Sequence, residues 1–337
     1  MPALACVRLE AEGSGLGLAA FNLELGVALR LDAAEVLPGS AIVELKALKA
    51  FASSVKASGD AVVLATKGRA LAISCGATSA QLPITPEEQW PKIPEASEST
   101  LQVGALELAA ALKAVSYAAS ADETRYNLNG VHVGEGCVEA TDGHRLAQHP
   151  LPEALKPLAG SILPLPLVAE LERLKGGEVT VNYCPRTITA TCGSVRVFGR
   201  LIEGDFPKTS QVIPKKSAFR LTTDRKGLIS ALKIVELCAP KRSHAVRLTI
   251  NGALELFASD PDAEAEGGTS VEYSEREAVK GGGDAVVLDV NARYFLAALK
   301  ALESVAVVLE GLDALSPITL KSGDGTGGAG LIMPLRI

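Results

Sequence analysis

The chain has 337 residues, 47% hydrophobic but only 4% aromatic, a length that predicts two or three domains with cores of Ala, Leu and Val. No apolar run reaches the roughly eighteen residues of a bilayer span, and the start MPALACVRLEAEG has no basic-then-apolar leader, so the chain reads as cytoplasmic with no membrane partner. A net charge of −6 excludes gripping nucleic acid by bulk charge, leaving DNA contact that is local, weak or enforced by topology.

Along the chain, three segments share one pattern, a helix of small apolar residues followed by an alternating strand. They are Leu45 to Val55 before DAVVLAT (60–66), Leu165 to Lys175 before EVTVNY (178–183), and Val290 to Lys300 before SVAVVLE (304–310). Tyr294, Phe295, Ala298, Leu299 and Leu302 fall at helical i, i+3, i+4 spacing. A second kind of helix is predicted twice, over 104–120 and 224–239. Each precedes a charged loop and a strand pair: RYNLNGVHV with GCVEATD, and HAVRLTING with ALELFASD. Ala258-Ser259-Asp260 thus stands where Ala140-Thr141-Asp142 stands, and Ala20-Phe21-Asn22 takes that place in the first copy. All three fit a strand ending in a turn-forming residue.

Pro83, Pro86, Pro91 and Pro94 punctuate one connector, Pro207 and Pro214 another, and WPKIP and FPKTSQVIP look like two versions of it. The domains are therefore read as 1–97, 98–215 and 216–337, and the class as α+β with antiparallel strands. The first copy opens at the strand that follows the first helix elsewhere, so one strand and that helix are missing from its pattern. An internal start codon, a trimmed sequence and a shortened paralogue all fit this.

Six cysteines, at 6, 75, 137, 184, 192 and 238, form no CxxC and no zinc-ligand cluster and are read as buried thiols. Only Cys184 and Cys192, flanking a turn at Pro185-Arg186, are placed to face each other, and a reducing cytosol disfavours a disulfide there.

Two phrases carry the most information: TRYNLNG (124–130) and ATDGHRLA (140–147), joined by a short hairpin. With LIEGDFPKTSQVIPK (201–215) and the terminal MPLRI, they resemble the bacterial DNA polymerase III β subunit, the sliding-clamp family, over essentially the whole chain. The resemblance implies three similar domains per subunit and a head-to-tail homodimer closing into a ring. Helices would line a central hole around double-stranded DNA, with antiparallel sheets outside. It implies no cofactor and no turnover.

The implied partners are DNA polymerase and clamp-loader subunits, docking through short Leu/Phe-anchored peptides. Positions matching the docking groove are Arg125, Leu128, Thr141, Gly143, His144, Arg145, Leu146, Pro214, Asn291, Tyr294, Met333, Pro334, Leu335 and Arg336. Tyr126 and Asn127 match DNA-facing positions. Further candidates on the predicted helices are Lys46, Lys49, Lys113, Arg173, Arg225, Lys226, Lys233 and Arg293. Where relatives often start the second helix of the middle domain with a basic pair, this chain has Leu165-Pro166.

Two other readings compete. Asp142, His144 and Arg145 suggest acid–base chemistry, but no second carboxylate pair, nucleophile elbow or HExxH accompanies them. GDGTGGAG (323–330) contains GxGxxG, yet too few residues follow for a phosphate-cradling helix, so it reads as a hairpin loop. The missing first helix motivates the second alternative, a clamp paralogue that binds peptides as a scaffold without a closed ring.

Overall fold

The computed structural model describes residues 2–55, 59–93, 98–251, 253–278 and 286–336. In chain order, the first copy of the pattern contains β1 (Cys6–Glu12), β2 (Gly15–Phe21), β3 (Leu25–Asp32), β4 (Gly39–Glu44), α1 (Leu45–Val55), β5 (Val62–Lys67), β6 (Ala70–Cys75) and β7 (Thr78–Pro83). The second contains β8 (Ser99–Gly104), α2 (Ala105–Ser116), β9 (Gly130–Val133), β10 (Cys137–Thr141), β11 (Arg145–Pro150), β12 (Ile162–Pro164), α3 (Leu165–Leu171), β13 (Glu178–Tyr183), β14 (Thr187–Cys192) and β15 (Val195–Arg200). The third contains β16 (Phe219–Asp224), α4 (Arg225–Glu236), β17 (Ala245–Asn251), β18 (Ala253–Asp260), β19 (Ala265–Val271), β20 (Tyr273–Ala278), β21 (Val286–Asn291), α5 (Ala292–Ala301), β22 (Ala306–Gly311), β23 (Ile318–Ser322) and β24 (Ala329–Ile332).

Two compact units result, residues 1–106 with 169–201 and residues 107–168 with 202–337. The strands of the second copy are shared between them. Unit one holds an eight-stranded sheet, β4-β1-β2-β3-β15-β14-β13-β8, and a three-stranded sheet, β5-β6-β7. Unit two holds a nine-stranded sheet, β12-β9-β10-β11-β24-β23-β22-β16-β20, and a four-stranded sheet, β19-β18-β17-β21. Helices with antiparallel sheets make the class α+β, as the alternating patterns predict. No helix among the described residues is long and apolar enough to cross a membrane.

In unit two, Leu228, Leu232 and Val235 of α4 and Phe295 and Leu299 of α5 bury against Leu248 and Leu256 and against Leu309 and Leu320, one strand pair from each sheet. These helix positions repeat every three or four residues, so each helix turns one apolar stripe inward. In unit one, Phe51 of α1 packs with Val7, Leu9, Val43, Leu71 and Ile73. The first copy has a single α-helix among its described residues. Where β8 covers β13 and β16 covers β22, β5 is a sheet edge, with Val62 and Val63 more than half exposed.

Several expectations need correction. The helix predicted over 165–175 stops at Leu171, and 3-10-type bonds from Arg173 N–H to the Glu170 carbonyl and from Leu174 N–H to the Leu171 carbonyl take over, so Arg173 lies off the helix. Likewise α2 and α4 end at Ser116 and Glu236, short of 120 and 239. Cys137, Cys184 and Cys238 are only half-buried, and none of the six cysteines is in a disulfide. Cys184 and Cys192 do not face across a turn: Cys184 follows β13 and faces Thr187, whose hydroxyl it meets, while Cys192 ends β14 with its thiol on the Lys175 and Gly176 carbonyls. Pro94 and the expected boundary at 97 fall outside the described residues.

The connector 201–216 is pinned to the nine-stranded sheet by a buried carboxylate. Glu139 on β10 accepts bonds from Thr209 Oγ1 (2.5 Å) and Gln148 Nε2 (2.8 Å) and meets His132 Nδ1 at 3.0 Å, while Phe206 stacks on the His132 ring at 4.6 Å. Burial alone would push this carboxyl up; the bonds from His132, Thr209 and Gln148 more than offset that and hold it below the ordinary carboxylate range. Its stabilisation is therefore complete above the unfolded-state pKa and is lost as pH falls through the lower folded value. Glu139→Ala leaves Thr209 and Gln148 without their acceptor; urea unfolding at neutral pH should show a loss of about 2–4 kcal/mol, and the acid limb of the stability profile should flatten.

Candidate functional site

The site starts from the turn between β10 and β11. The buried Asp142 carboxylate accepts from the His144 N–H (2.8 Å), the Arg145 N–H (3.0 Å) and Arg145 Nε (2.9 Å). Thr141 Oγ1 donates to the Arg145 carbonyl at 2.6 Å and accepts from the Gly143 N–H at 3.1 Å. Gly143 sits at φ +89°, a conformation other residues resist, which explains Asp-Gly at this position. From the preceding 3-10 segment Glu123–Leu128, Arg125 reaches over to donate Nη1 to the Asp142 carbonyl at 2.8 Å, while its Nε pairs with Asp122 at 3.1 Å.

Held by Asp142, the Arg145 guanidinium lies 4.5 Å from the centroid of the Tyr294 ring and 5.7 Å from that of Tyr117. The His144 ring lies near-parallel to Tyr294, with centroids 6.3 Å apart. Tyr294 is fixed by its helix start: Asn291 Oδ1 caps α5 by accepting from the Arg293 and Tyr294 N–H groups, and Asn291 Nδ2 donates to the Ser243 carbonyl. Burial pushes the Tyr117 hydroxyl far up, partly offset by the Arg145 charge, so it stays protonated.

Residues 333–336 complete the wall. Met333 N–H donates to the His144 carbonyl (2.9 Å) and Leu335 N–H to the Asp289 carbonyl on β21 (2.7 Å). This segment, just past the end of β24, thus runs between the β10–β11 turn and the four-stranded sheet, with Met333 and Arg336 exposed and Pro334 and Leu335 half-buried. Leu146 is buried opposite Leu331. Leu128 and Pro214 are half-buried. Arg145, Tyr294 and residues 333–336 form an aromatic and apolar surface with a fixed cation, suited to an extended peptide rather than to acid–base chemistry. Among the described residues no group of three or more His, Cys, Asp or Glu could hold a metal.

The basic candidates are less uniform. Lys46 and Lys49 on α1, Lys113 on α2, and Lys226 and Lys233 on α4 are exposed. Tyr126 is exposed too, whereas Asn127 Nδ2 is bonded to the Asp205 carbonyl at 2.9 Å. Arg173 is paired with Glu170 and Arg293 with Glu236. Arg225 is turned inward, donating to the Ser304 carbonyl (2.6 Å) and to the Leu299 carbonyl (3.2 Å) near the end of α5. The sequence marked Asp142 as a turn residue or an acid–base candidate, not as the anchor of Arg145, and did not mark Tyr117 or Glu139. For Tyr117 the signal was a lone ring in a helix of small apolar residues.

Comparison with known proteins gives one answer. The central-domain model of the DNA polymerase III beta subunit matches residues 102–208 and its C-terminal-domain model residues 210–336. The beta sliding clamp of Caulobacter vibrioides is 28% identical over 354 residues, covering 100% of this chain and 93% of that protein. That of Chlamydia muridarum is 30% identical over 285 residues, covering 82% and 75%. A crystal structure of the sliding clamp (DNA polymerase III subunit beta) from Bartonella birtlesii bound to griselimycin superposes with a TM-score of 0.88 at 27% identity, covering 100% of this chain and 92% of that one.

Asp142→Ala removes three bonds at once, so calorimetry should show a loss of about 2–3 kcal/mol, and the Arg145 guanidinium should lose its fixed place over Tyr294 in a crystal structure of the variant.

Proposed function

We propose, from the premise that the chain belongs to the DNA polymerase III beta subunit family, the beta sliding clamps, how this chain performs that family's role. It is a DNA sliding clamp, a non-catalytic processivity factor that tethers the polymerase to its template in the cytoplasm. The observation that carries the proposal is the wall formed by Arg145, Tyr294 and residues 333–336, anchored by Asp142. It acts as the docking groove for extended segments with Leu or Phe anchors, borne by polymerase and clamp-loader subunits. Two buried anchors contribute about 1.5–3 kcal/mol each. After the cost of ordering a free peptide, binding near about −8 kcal/mol is expected, the micromolar range that permits partners to exchange.

Assembly follows from the repeat. In unit one β3 pairs with β15, and in unit two β11 pairs with β24: the strand that follows the turn at Asn22 or Asp142 in one copy meets the last strand of the next. By the same rule β19 calls for a last strand, and β7 is such a strand; both are sheet edges among the described residues. The helices agree. AALKAVSY (110–117) on α2 aligns with SALKIVEL (230–237) on α4, so Ile234 and Leu237 occupy the places of Ala114 and Tyr117. Tyr117 is packed into the core of unit two, whereas Ile234 and Leu237 are 61% and 83% exposed. A second copy, its β7 beside β19, would cover them, and two such heterologous contacts close a head-to-tail homodimer.

We divide the chain into domains 1–97, 98–215 and 216–337, a reading supported by the ranges of the two family-model matches. Lys46, Lys49, Lys113, Lys226 and Lys233 supply modest positive charge toward duplex DNA in an otherwise acidic chain, enough for sequence-independent contact that slides. One observation favours a second reading: among the described residues β5 is an open sheet edge, a feature of a scaffold that binds peptides without a closed ring.

Sedimentation separates the two, with a dimer at micromolar concentration supporting the ring and a monomer the scaffold. Leu237→Asp should convert the dimer to monomers, losing about 3 kcal/mol at each interface. Deleting 333–337 should abolish binding of a Leu/Phe-anchored peptide while leaving the dimer largely intact. Neutralising Lys46 and Lys49 together should shorten retention on nicked circular DNA with little change in the melting temperature.

A further inference from the structure

The hairpin that closes each copy differs in one of the three. β6 and β7 are joined by Gly76-Ala77 and β14 and β15 by Gly193-Ser194, whereas β23 and β24 are joined by the six residues 323–328, GDGTGG. That enlarged loop walls a cavity of about 300 Å³ in unit two. The opposite wall is one face of α2 and the residue after it, Ala110, Lys113, Ala114 and Tyr117, at i, i+3, i+4 and i+7. The end of α5 adds Lys300, and β11 adds His149.

The charges in this cavity are unevenly answered. Asp324 is engaged by its own loop, accepting from the Thr326 N–H (3.0 Å) and Thr326 Oγ1 (2.7 Å). Glu303 also lines the cavity, yet neither Lys113 nor Lys300 has an ion-pair partner among the described residues. Gly325 and Gly327 take left-handed φ values of +72° and +82°, the geometry in which a loop turns successive backbone N–H groups to one side. The N–H groups of Gly327 and Gly328 have no protein acceptor among the described residues. His149 donates Nδ1–H to the Pro150 carbonyl at 2.8 Å, which leaves Nε2 available.

We infer that this cavity binds a phosphate group, held between the Lys113 and Lys300 ammonium groups and the Gly327 and Gly328 N–H groups. Two lysines acting as point charges beside a glycine-rich run of N–H donors suit a compact, multiply charged oxyanion. The volume, equal to about ten waters, admits it with part of its hydration shell. A duplex backbone and a free phosphate ligand share this chemistry. The inference does not rest on the clamp reading, because inorganic phosphate tests it without DNA or dimer.

The experiment titrates the ¹⁵N-labelled full chain with sodium phosphate at constant ionic strength and follows the amides of Thr326 to Ala329. Saturable shifts are expected, weakened about tenfold by each of K113Q and K300Q, restored in part by K113R/K300R, and unaffected by K226Q/K233Q on α4. A parallel titration with a 20-base-pair duplex identifies the source. If it moves the same amides and displaces phosphate, the ligand is the DNA backbone; if only inorganic phosphate moves them, it is a free phosphate. Either outcome supports the site. Amides unmoved by both ligands, or saturation unchanged in a folded K113Q/K300Q variant, would overturn it, whatever the sedimentation and DNA-retention results.

Discussion

The antiparallel pairing of β11 with β24 is the constraint on which the site around Arg145 depends. It matches Arg145 with Ile332 and Leu146 with Leu331, and so delivers Met333 to the His144 carbonyl. Side chains on a strand alternate between faces, so a slip of one residue would exchange the buried Leu146 with Arg145. The cation would leave Tyr294 and enter the core. Register at this junction therefore sets both the stability of the sheet and the placing of Arg145 over Tyr294. The buried Leu146 and the Asp142-bound Arg145 specify that register from opposite faces.

The site around Asp142 is a specialised version of a junction the chain builds more than once. At the equivalent turn of the first copy, Asn22 Oδ1 accepts from the Glu24 and Leu25 N–H groups, and in the third Asp260 accepts from the Asp262 N–H. All three copies thus end the same strand with a side chain that closes the turn. The backbone link recurs as well, since Arg200 N–H donates to the Glu24 carbonyl as Met333 N–H does to that of His144. What distinguishes the second copy is the side chains hung on this frame. Leu23 occupies φ +80° where the second copy has Gly143, and the third follows its Asp with Pro261. Only the second turn carries an Arg fixed by its own Asp and placed over a ring.

Much of this was legible in the residues, and the exceptions share a physical cause. The helix Leu45–Val55 and the strand Glu178–Tyr183 are bounded as their periodicity predicts, because local pattern decides them. The helix at 165 ran short because Leu174 continues the apolar spacing and is buried, while the backbone has already tightened toward Gly176 and Gly177 at positive φ. Spacing alone does not reveal that tightening. Arg225 looked like a free cation because its acceptors, the carbonyls of 299 and 304, are remote in sequence. Tyr117 and Glu139 escaped notice for the same reason, being defined by partners on other elements. The Asp142-centred turn was readable because its residues sit close together, in TRYNLNG and ATDGHRLA. The continuity of β11 into β24 was not, since strand register between distant segments leaves no local trace.

That continuity has a consequence for synthesis. Arg145 and Leu146 meet Ile332 and Leu331 only after the intervening chain has been made and its loop closed, an entropic cost that long-range contacts bear before any pairing repays it. The β10–β11 turn can close early, from bonds within a few residues, but the wall at 333–336 cannot form until those residues leave the ribosome. Nascent or prematurely terminated chains that lack residues 333–336 would then carry the Arg145 face without the segment that packs beside it. Assembly of the site is thus coupled to synthesis of residues far downstream of the turn that anchors it.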